Sequence, residues 1–193
     1  MMWSQNSMNN WSWWYIPKIL QNLKQFRLNL DCSIIHSGAF YGLAIEKVEY
    51  SDSSLICIEK CGFAHSTNMK RITIPSSVKK IEEETFIGCS SHKTVIFQSK
   101  SGIRKIPKYC FAFCALKSIK LPDYIEVIDD SSFLSCKELH KVLNFETKVK
   151  FISDSAFFNT FIEKVVFLPT IQFIENHAFD NIKTLNILNF QTI

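Results

Sequence analysis

Phenylalanine returns along this chain at nearly constant intervals. Phe40, Phe63, Phe86, Phe111, Phe133, Phe157 and Phe179 are separated by 23, 23, 25, 22, 24 and 22 residues. A period of this length is the mark of a solenoid, in which each repeat forms one coil and hides its apolar side chains against its neighbours. Five residues before each phenylalanine stands an isoleucine, namely Ile35, Ile58, Ile81, Ile106, Ile128, Ile152 and Ile174. Three residues earlier again the position is always apolar (Cys32, Leu55, Val78, Ile103, Ile125, Val149, Ile171), and the residue just before each phenylalanine is small. The unit is therefore apolar-x2-Ile-x3-small-Phe.

The rest of the unit follows the phenylalanine. It is clearest in Cys114-Ala115-Leu116-x2-Ile119-x-Leu121-Pro122, which leads into Ile125, Ile128 and Phe133. The same frame gives Met69-x2-Ile72-x-Ile74-Pro75 upstream, and Leu139-x2-Val142, Val165-x-Phe167-x-Pro169 and Leu185-x2-Leu188-x-Phe190 downstream. A half unit, Leu23-x2-Phe26-x-Leu28, precedes the first anchor. Alternation around Ile72-x-Ile74 and Ile119-x-Leu121 places two side chains inward and one outward, which predicts a short strand. Prolines at 75, 122 and 169 end it by removing a donor. The phenylalanine segment returns along the opposite side in a conformation that the pattern leaves open.

The string Cys-x2-Leu-x2-Ile-x-Leu-Pro-x2-apolar-x2-Ile-x3-small-Phe resembles the BspA-like leucine-rich repeat surface antigens, over roughly residues 20–193. The resemblance implies a right-handed leucine-rich-repeat solenoid, of α/β type or mostly β. It would hold about seven repeats of 22–25 residues, with one short parallel strand in each. Local departures are His92 for the expected leucine, Asn144 after Val142, and Thr160 and Ile182 in the column of Cys89, Cys114 and Cys136. The organisation read from the sequence is an aromatic-rich tail or cap over residues 1–19, with Trp3, Trp11, Trp13 and Trp14, and a repeat domain over 20–193. The aromatic segment reads as a cap laying its rings over the open first coil, in preference to an anchor at a membrane interface; a disordered tail is a further alternative, and an amphipathic helix through Ile16, Ile19, Leu20, Leu23 and Phe26 can share the stretch.

A chain that is 47% apolar and 13% aromatic has ample material for a core, and its net charge of +4 is too small by itself to indicate nucleic acid. The seven cysteines lack zinc-knuckle spacing, since Cys57-x3-Cys61 and Cys110-x3-Cys114 are each one residue too wide. They read as thiols, with Cys89, Cys114 and Cys136 filling the space between coils. No nucleophile elbow, phosphate-binding loop or metal-type histidine pair is present, so no catalytic residue, metal, cofactor or small-molecule substrate is expected. The five histidines fall at different places in the repeat and read as surface or turn residues. Glu82-Glu83-Glu84 and Asp129-Asp130 read as solvated charge.

Outward strand positions align from coil to coil, and these form the candidate site. The frame places Gln25, Lys47, Arg71, Thr94, Ser118, Lys141, Lys164 and Ile187 in one column, and Arg27, Glu49, Thr73, Ile96, Lys120, Leu143, Val166 and Asn189 in the next. The candidate partner-binding residues on this concave face are Arg27, Lys47, Arg71, Thr73, Ile96, Lys120, Lys141, Leu143, Lys164 and Val166. Lys70, Lys93, Lys117 and His140 form a basic rim. The resemblance implies adhesion: a noncatalytic module at the cell surface or outside the cell, binding a protein or extracellular-matrix ligand. The absence of a legible export signal and the odd cysteine count leave an intracellular repeat adaptor as the alternative. No run reaches the roughly 18 apolar residues of a membrane span. A nucleic-acid partner is disfavoured for want of aromatic stacking positions on the face. The last residues, Gln191-Thr192-Ile193, lack a polar capping unit, which points to end-to-end self-association or to a shortened relative of longer proteins.

Overall fold

The computed structural model describes residues 27–30, 32–50, 54–144, 148–167 and 169–189. The aromatic segment 1–19, the half-unit residues Leu23, Gln25 and Phe26, and Gln191–Ile193 lie outside the described residues. Each coil carries two strands, not the single one expected. The longer are β1 (Arg27–Leu30), β3 (Lys47–Tyr50), β5 (Arg71–Ile74), β7 (Thr94–Phe97), β9 (Ser118–Lys120), β11 (Lys141–Leu143), β13 (Lys164–Phe167) and β15 (Asn186–Asn189). The shorter are β2 (Ile34–Ile35), β4 (Cys57–Ile58), β6 (Lys80–Ile81), β8 (Lys105–Ile106), β10 (Val127–Ile128), β12 (Phe151–Ile152) and β14 (Phe173–Ile174). All pairings are parallel between successive coils, and no helix occurs among the described residues. The fold is a parallel β-solenoid, and its seven phenylalanines delimit about six turns rather than seven full repeats.

Those phenylalanines form one continuous stack. Successive ring centroids from Phe40 to Phe179 lie 5.1, 5.5, 5.4, 5.5, 5.1 and 5.2 Å apart, with planes inclined by at most 18°. The rings from Phe63 to Phe157 are fully buried, as are the isoleucines from Ile58 to Ile152 or nearly so. Identical side chains at one spacing, about 4.7–4.9 Å per coil, leave offset stacking as the only way to fill the interior.

The phenylalanine segment is neither strand nor helix but a run of turns. In every coil the residues two before and two after the phenylalanine have positive φ, between 53° and 69°, as at Ser131 and Ser135 around Phe133. Alternate amides point along the stack and within the coil. Ser131, Phe133 and Ser135 donate to Asp154, Ala156 and Phe158 of the next coil, whereas Ser132, Leu134 and Cys136 donate to Asp129, Ser131 and Phe133 of their own. Every backbone donor from Ser131 to Cys136 is thereby satisfied, which offsets the strain of left-handed conformations at residues other than glycine.

The long-strand sheet is interrupted where the distance from phenylalanine to strand shortens. Arg71 stands eight residues after Phe63 and Thr94 eight after Phe86, and β5 and β7 share four pairs. Ser118 stands seven after Phe111, and no ladder joins β7 to β9; the same drop recurs between β11 and β13. Lys164 and Asn186 both stand seven after their phenylalanines, and β13 and β15 again share four pairs.

Candidate ligand-binding face

On the long-strand sheet the inward positions Ile72, Ile74, Val95, Ile119, Leu121 and Val165 are buried, so the intervening side chains face solvent. Arg71, Lys120, Lys141 and Lys164 are exposed, Thr73 and Val166 are half-buried, and Ile96 and Leu143 are 37% and 40% exposed. Backbone register pairs Lys47 with Arg71, Arg71 with Thr94, Thr73 with Ile96, Ser118 with Lys141 and Lys120 with Leu143. Lys70, Lys93, Lys117 and His140 are exposed beside them, and His140 Nδ1 lies 3.4 Å from Glu163.

The register corrects the expected columns at both ends. Arg27 pairs with Lys47, not Glu49, so the first unit is shifted by two residues and Arg27 joins the Lys47–Arg71 column. A two-residue shift preserves the face of the strand. At the other end Lys164 pairs with Asn186 and Val165 with Ile187. That shift is one residue, which puts Ile187 in backbone register with Val165 rather than with Lys164.

Charge is handled differently on the two sides of the coil. Arg71, Lys120, Lys141 and Lys164 form no ion pair among the described residues. On the short-strand side several cations are matched across coils, although Lys79 is in no ion pair among the described residues. Arg104 Nη1 and Lys150 Nζ lie 2.5 and 3.0 Å from Glu126, Lys105 lies 2.5 Å from Asp129, Lys108 pairs with Asp130, and Lys60 lies 3.0 Å from Glu84. The lysines beside Glu82 and Glu84, and Lys150 with Arg104 beside Glu126, hold these carboxyls below the usual carboxylate range. The acids read as solvated charge are therefore partners in ladders between coils.

The cysteine column is buried and free of disulfides. The thiols of Cys89, Cys114 and Cys136 donate to the carbonyls of Phe63, Phe86 and Phe111 in the preceding coil, at 3.2, 3.1 and 2.9 Å. Ser66 does the same to Phe40 at 3.0 Å, while Thr160 turns back to Phe157 of its own coil. Burial pushes Cys136 up to about 12 and Cys110 and Cys114 well above the ordinary thiol value, so these three thiols are not nucleophiles, whereas hydrogen bonding from the Cys114 thiol and the neighbouring His92 hold Cys89 below it. His92 is not at the surface. It is fully buried, edge-on to Phe86 at 5.7 Å and beside the Cys89 thiol, and neither ring nitrogen has a well-formed hydrogen bond among the described residues. No group of three or more metal-ligating side chains is assembled among the described residues, and no described helix is long and apolar enough to cross a membrane.

A second basic cluster escapes the sequence reading. The short-strand sheet is split between β6 and β8, where a groove of about 520 Å³ opens, lined by Lys79, Lys80, Gly102, Arg104, Lys105 and Pro107 among others. Pro107 explains the split. The residue after each anchoring isoleucine otherwise donates its amide to the coil before, as Glu59, Glu82, Asp129, Ser153 and Glu175 do to Ile35, Ile58, Ile106, Ile128 and Ile152. Proline has no such donor. Its place in that column was a readable signal.

Parallel stacked coils, an isoleucine and phenylalanine core and short strands at a period of about two dozen residues define a leucine-rich repeat solenoid. The chain belongs to the BspA type leucine-rich repeat family, six copies of whose repeat region match over residues 18–140 and 56–186. Its fold is similar to that of a leucine-rich repeat protein from Eubacterium ventriosum, with 20% identity and a TM-score of 0.71 over 88% of this chain and 45% of that one. It is similar to the pneumococcal vaccine antigen PcpA, with 25% identity and a TM-score of 0.63 over 89% and 41%. It is also similar to a leucine-rich cell surface protein from Faecalibacterium prausnitzii, with 20% identity and a TM-score of 0.51 over 86% and 54%. The chain thus spans about half the length of these proteins or less. No curated protein matches the sequence.

Proposed function

We propose that this protein is a noncatalytic interaction module of the cell surface or extracellular space, which binds a protein or extracellular-matrix ligand on the outward face of its long-strand sheet. The observation that carries the reading is the asymmetry of charge. On the short-strand side Arg104, Lys105, Lys108 and Lys150 are held by acids of neighbouring coils, whereas Arg71, Lys120, Lys141 and Lys164 form no ion pair among the described residues and stand beside exposed Ile96 and Leu143. Unpaired cations interleaved with apolar side chains suit a partner that brings carboxylates and an apolar anchor. Neighbours named as a vaccine antigen and as a leucine-rich cell surface protein support the location.

Replacing Arg71, Lys120 and Lys141 together with glutamate tests the face. The wild type should retain a partner from a panel of matrix proteins in a salt-sensitive manner, and the triple variant should lose it while keeping its melting temperature. Equal retention by both proteins would dismiss the face. An intracellular adaptor is the second reading, favoured by Cys57, Cys61, Cys89, Cys110, Cys114 and Cys136, which form no disulfide. Labelling of intact cells with a membrane-impermeant reagent separates the two.

A further inference from the structure

The split between β6 and β8 leaves both walls of a groove chemically active. In the other coils two successive amides before the anchoring isoleucine donate to one carbonyl of the coil before. Lys79 and Lys80 donate to Ile56, Glu126 and Val127 to Arg104, and Lys150 and Phe151 to Glu126. The equivalent amides of Arg104 and Lys105 make no such bond among the described residues, and the carbonyls of Lys79 and Ile81 accept none. One wall therefore offers donors and the other acceptors.

The side chains give this groove its sign. Lys79, Lys80, Arg104 and Lys105 line it, with Lys60 at the margin, against Glu82 and Glu83. Lys80 is steadied by Glu82 at 2.6 Å and Arg104 by Glu126 at 2.5 Å, yet each cationic head keeps further donors free, and Lys79 has no ion pair among the described residues. Gly102 makes room for Lys79, because a Cβ there would meet Lys79 Cδ at 2.7 Å.

We propose that this groove binds a sulfated saccharide, independently of the long-strand face. The oxyanions would accept from the amides of Arg104 and Lys105 and from the cationic heads, while sugar hydroxyls would donate to the carbonyls of Lys79 and Ile81. An inserted peptide strand fits less well, because Phe86 and Phe111 remain stacked at 5.4 Å and Glu84 still donates to Lys108 at 3.0 Å, so the two coils are not far enough apart to admit a strand between them.

Titration calorimetry with a heparin-derived hexasaccharide, its desulfated form and an acidic peptide of equal charge tests this. The sulfated sugar should bind, and Lys79→Glu with Arg104→Glu should weaken it at least tenfold, whereas Arg71→Glu with Lys120→Glu should change it less than twofold. Pro107→Ser, which restores the amide that Ser153 carries at the same place, should close the split, weaken the sugar and raise the melting temperature. This second variant stands if the charge reversals fail to fold. The proposal is overturned if the sulfated sugar does not bind, if the desulfated sugar or the peptide binds as well, or if only the long-strand reversals weaken binding.

Discussion

The rings of Phe133 and Phe157 lie face to face, 5.1 Å between centroids and with planes 1° apart, although 24 residues separate them in the chain. Each is wholly buried, and each covers a neighbour that could not be buried by its own coil. Truncating Phe133 to alanine should cost about 3–5 kcal/mol, because the cavity is walled on two sides by rings that cannot collapse into it. Urea titration measures the loss. A change below about 1 kcal/mol would show that the stack is not the structural core.

The cysteine column should behave as hydrogen-bond donors in a dry site. Cys136→Ser keeps the donor to Phe111 that Ser66 supplies to Phe40, and Cys136→Ala abandons it. The alanine variant should be less stable than the serine variant by about 1 kcal/mol.

Alkaline pH reports the same burial. The folded Cys136 thiol is pushed up to about 12 from its usual 9.0, so above pH 9 the unfolded chain releases a proton that the folded chain retains. Stability is then full below pH 9 and falls as pH rises toward 12, by up to about 1.4 kcal/mol per unit from this group. Cys136→Ser should flatten the fall measured by melting temperature between pH 8 and 11, and an unchanged slope would remove Cys136 as its source.

His92 sits in the column otherwise filled by Met69, Leu116 and Leu139, all fully buried. With neither ring nitrogen in a well-formed hydrogen bond among the described residues and only the Cys89 thiol near enough to offset it, the imidazole carries a desolvation cost of up to about 1–3 kcal/mol. His92→Leu should therefore raise the unfolding free energy. Loss of stability instead would mean that the ring's edge contact with Phe86 outweighs the buried nitrogens.

The residues that carried their meaning in sequence are those with one physical solution. A phenylalanine every two dozen residues has no use except in a stack, and Ile72 between outward Arg71 and Thr73, or Ile119 between Ser118 and Lys120, could only be strand. The turn around each phenylalanine was illegible for the opposite reason. Left-handed positions are marked by glycine at 38, 42 and 88, but the others hold Ser131, Asn159, His65, Glu84, Tyr109 and Phe113, because paired backbone amides rather than residue type enforce them. Strand register failed at the ends for want of punctuation: Arg27–Leu30 and Asn186–Asn189 lack the Ile-x-Leu-Pro signature that fixes β9. The long-strand cations were found by columns; the groove at Pro107 was missed because the lost amide belongs to a ladder that only the three-dimensional pairing reveals.

Gly42 and Gly88 occupy equivalent left-handed positions, with φ of 67° and 69°, but differ in surroundings. A Cβ at Gly42 meets nothing within 4 Å, whereas one at Gly88 would strike the ring of His65 in the preceding coil, with Cε1 at 2.7 Å. Gly42→Ala should thus cost only the backbone strain, about 1–2 kcal/mol, and Gly88→Ala more. Removing the ring in a His65→Ala, Gly88→Ala double variant should bring the second cost down to the first, since the excess is a pairwise clash that a double-mutant cycle isolates. If the two glycines respond alike and the cycle shows no coupling, the side chain of His65 does not lie over Gly88, and the packing of successive turns along that edge of the stack must differ from that described.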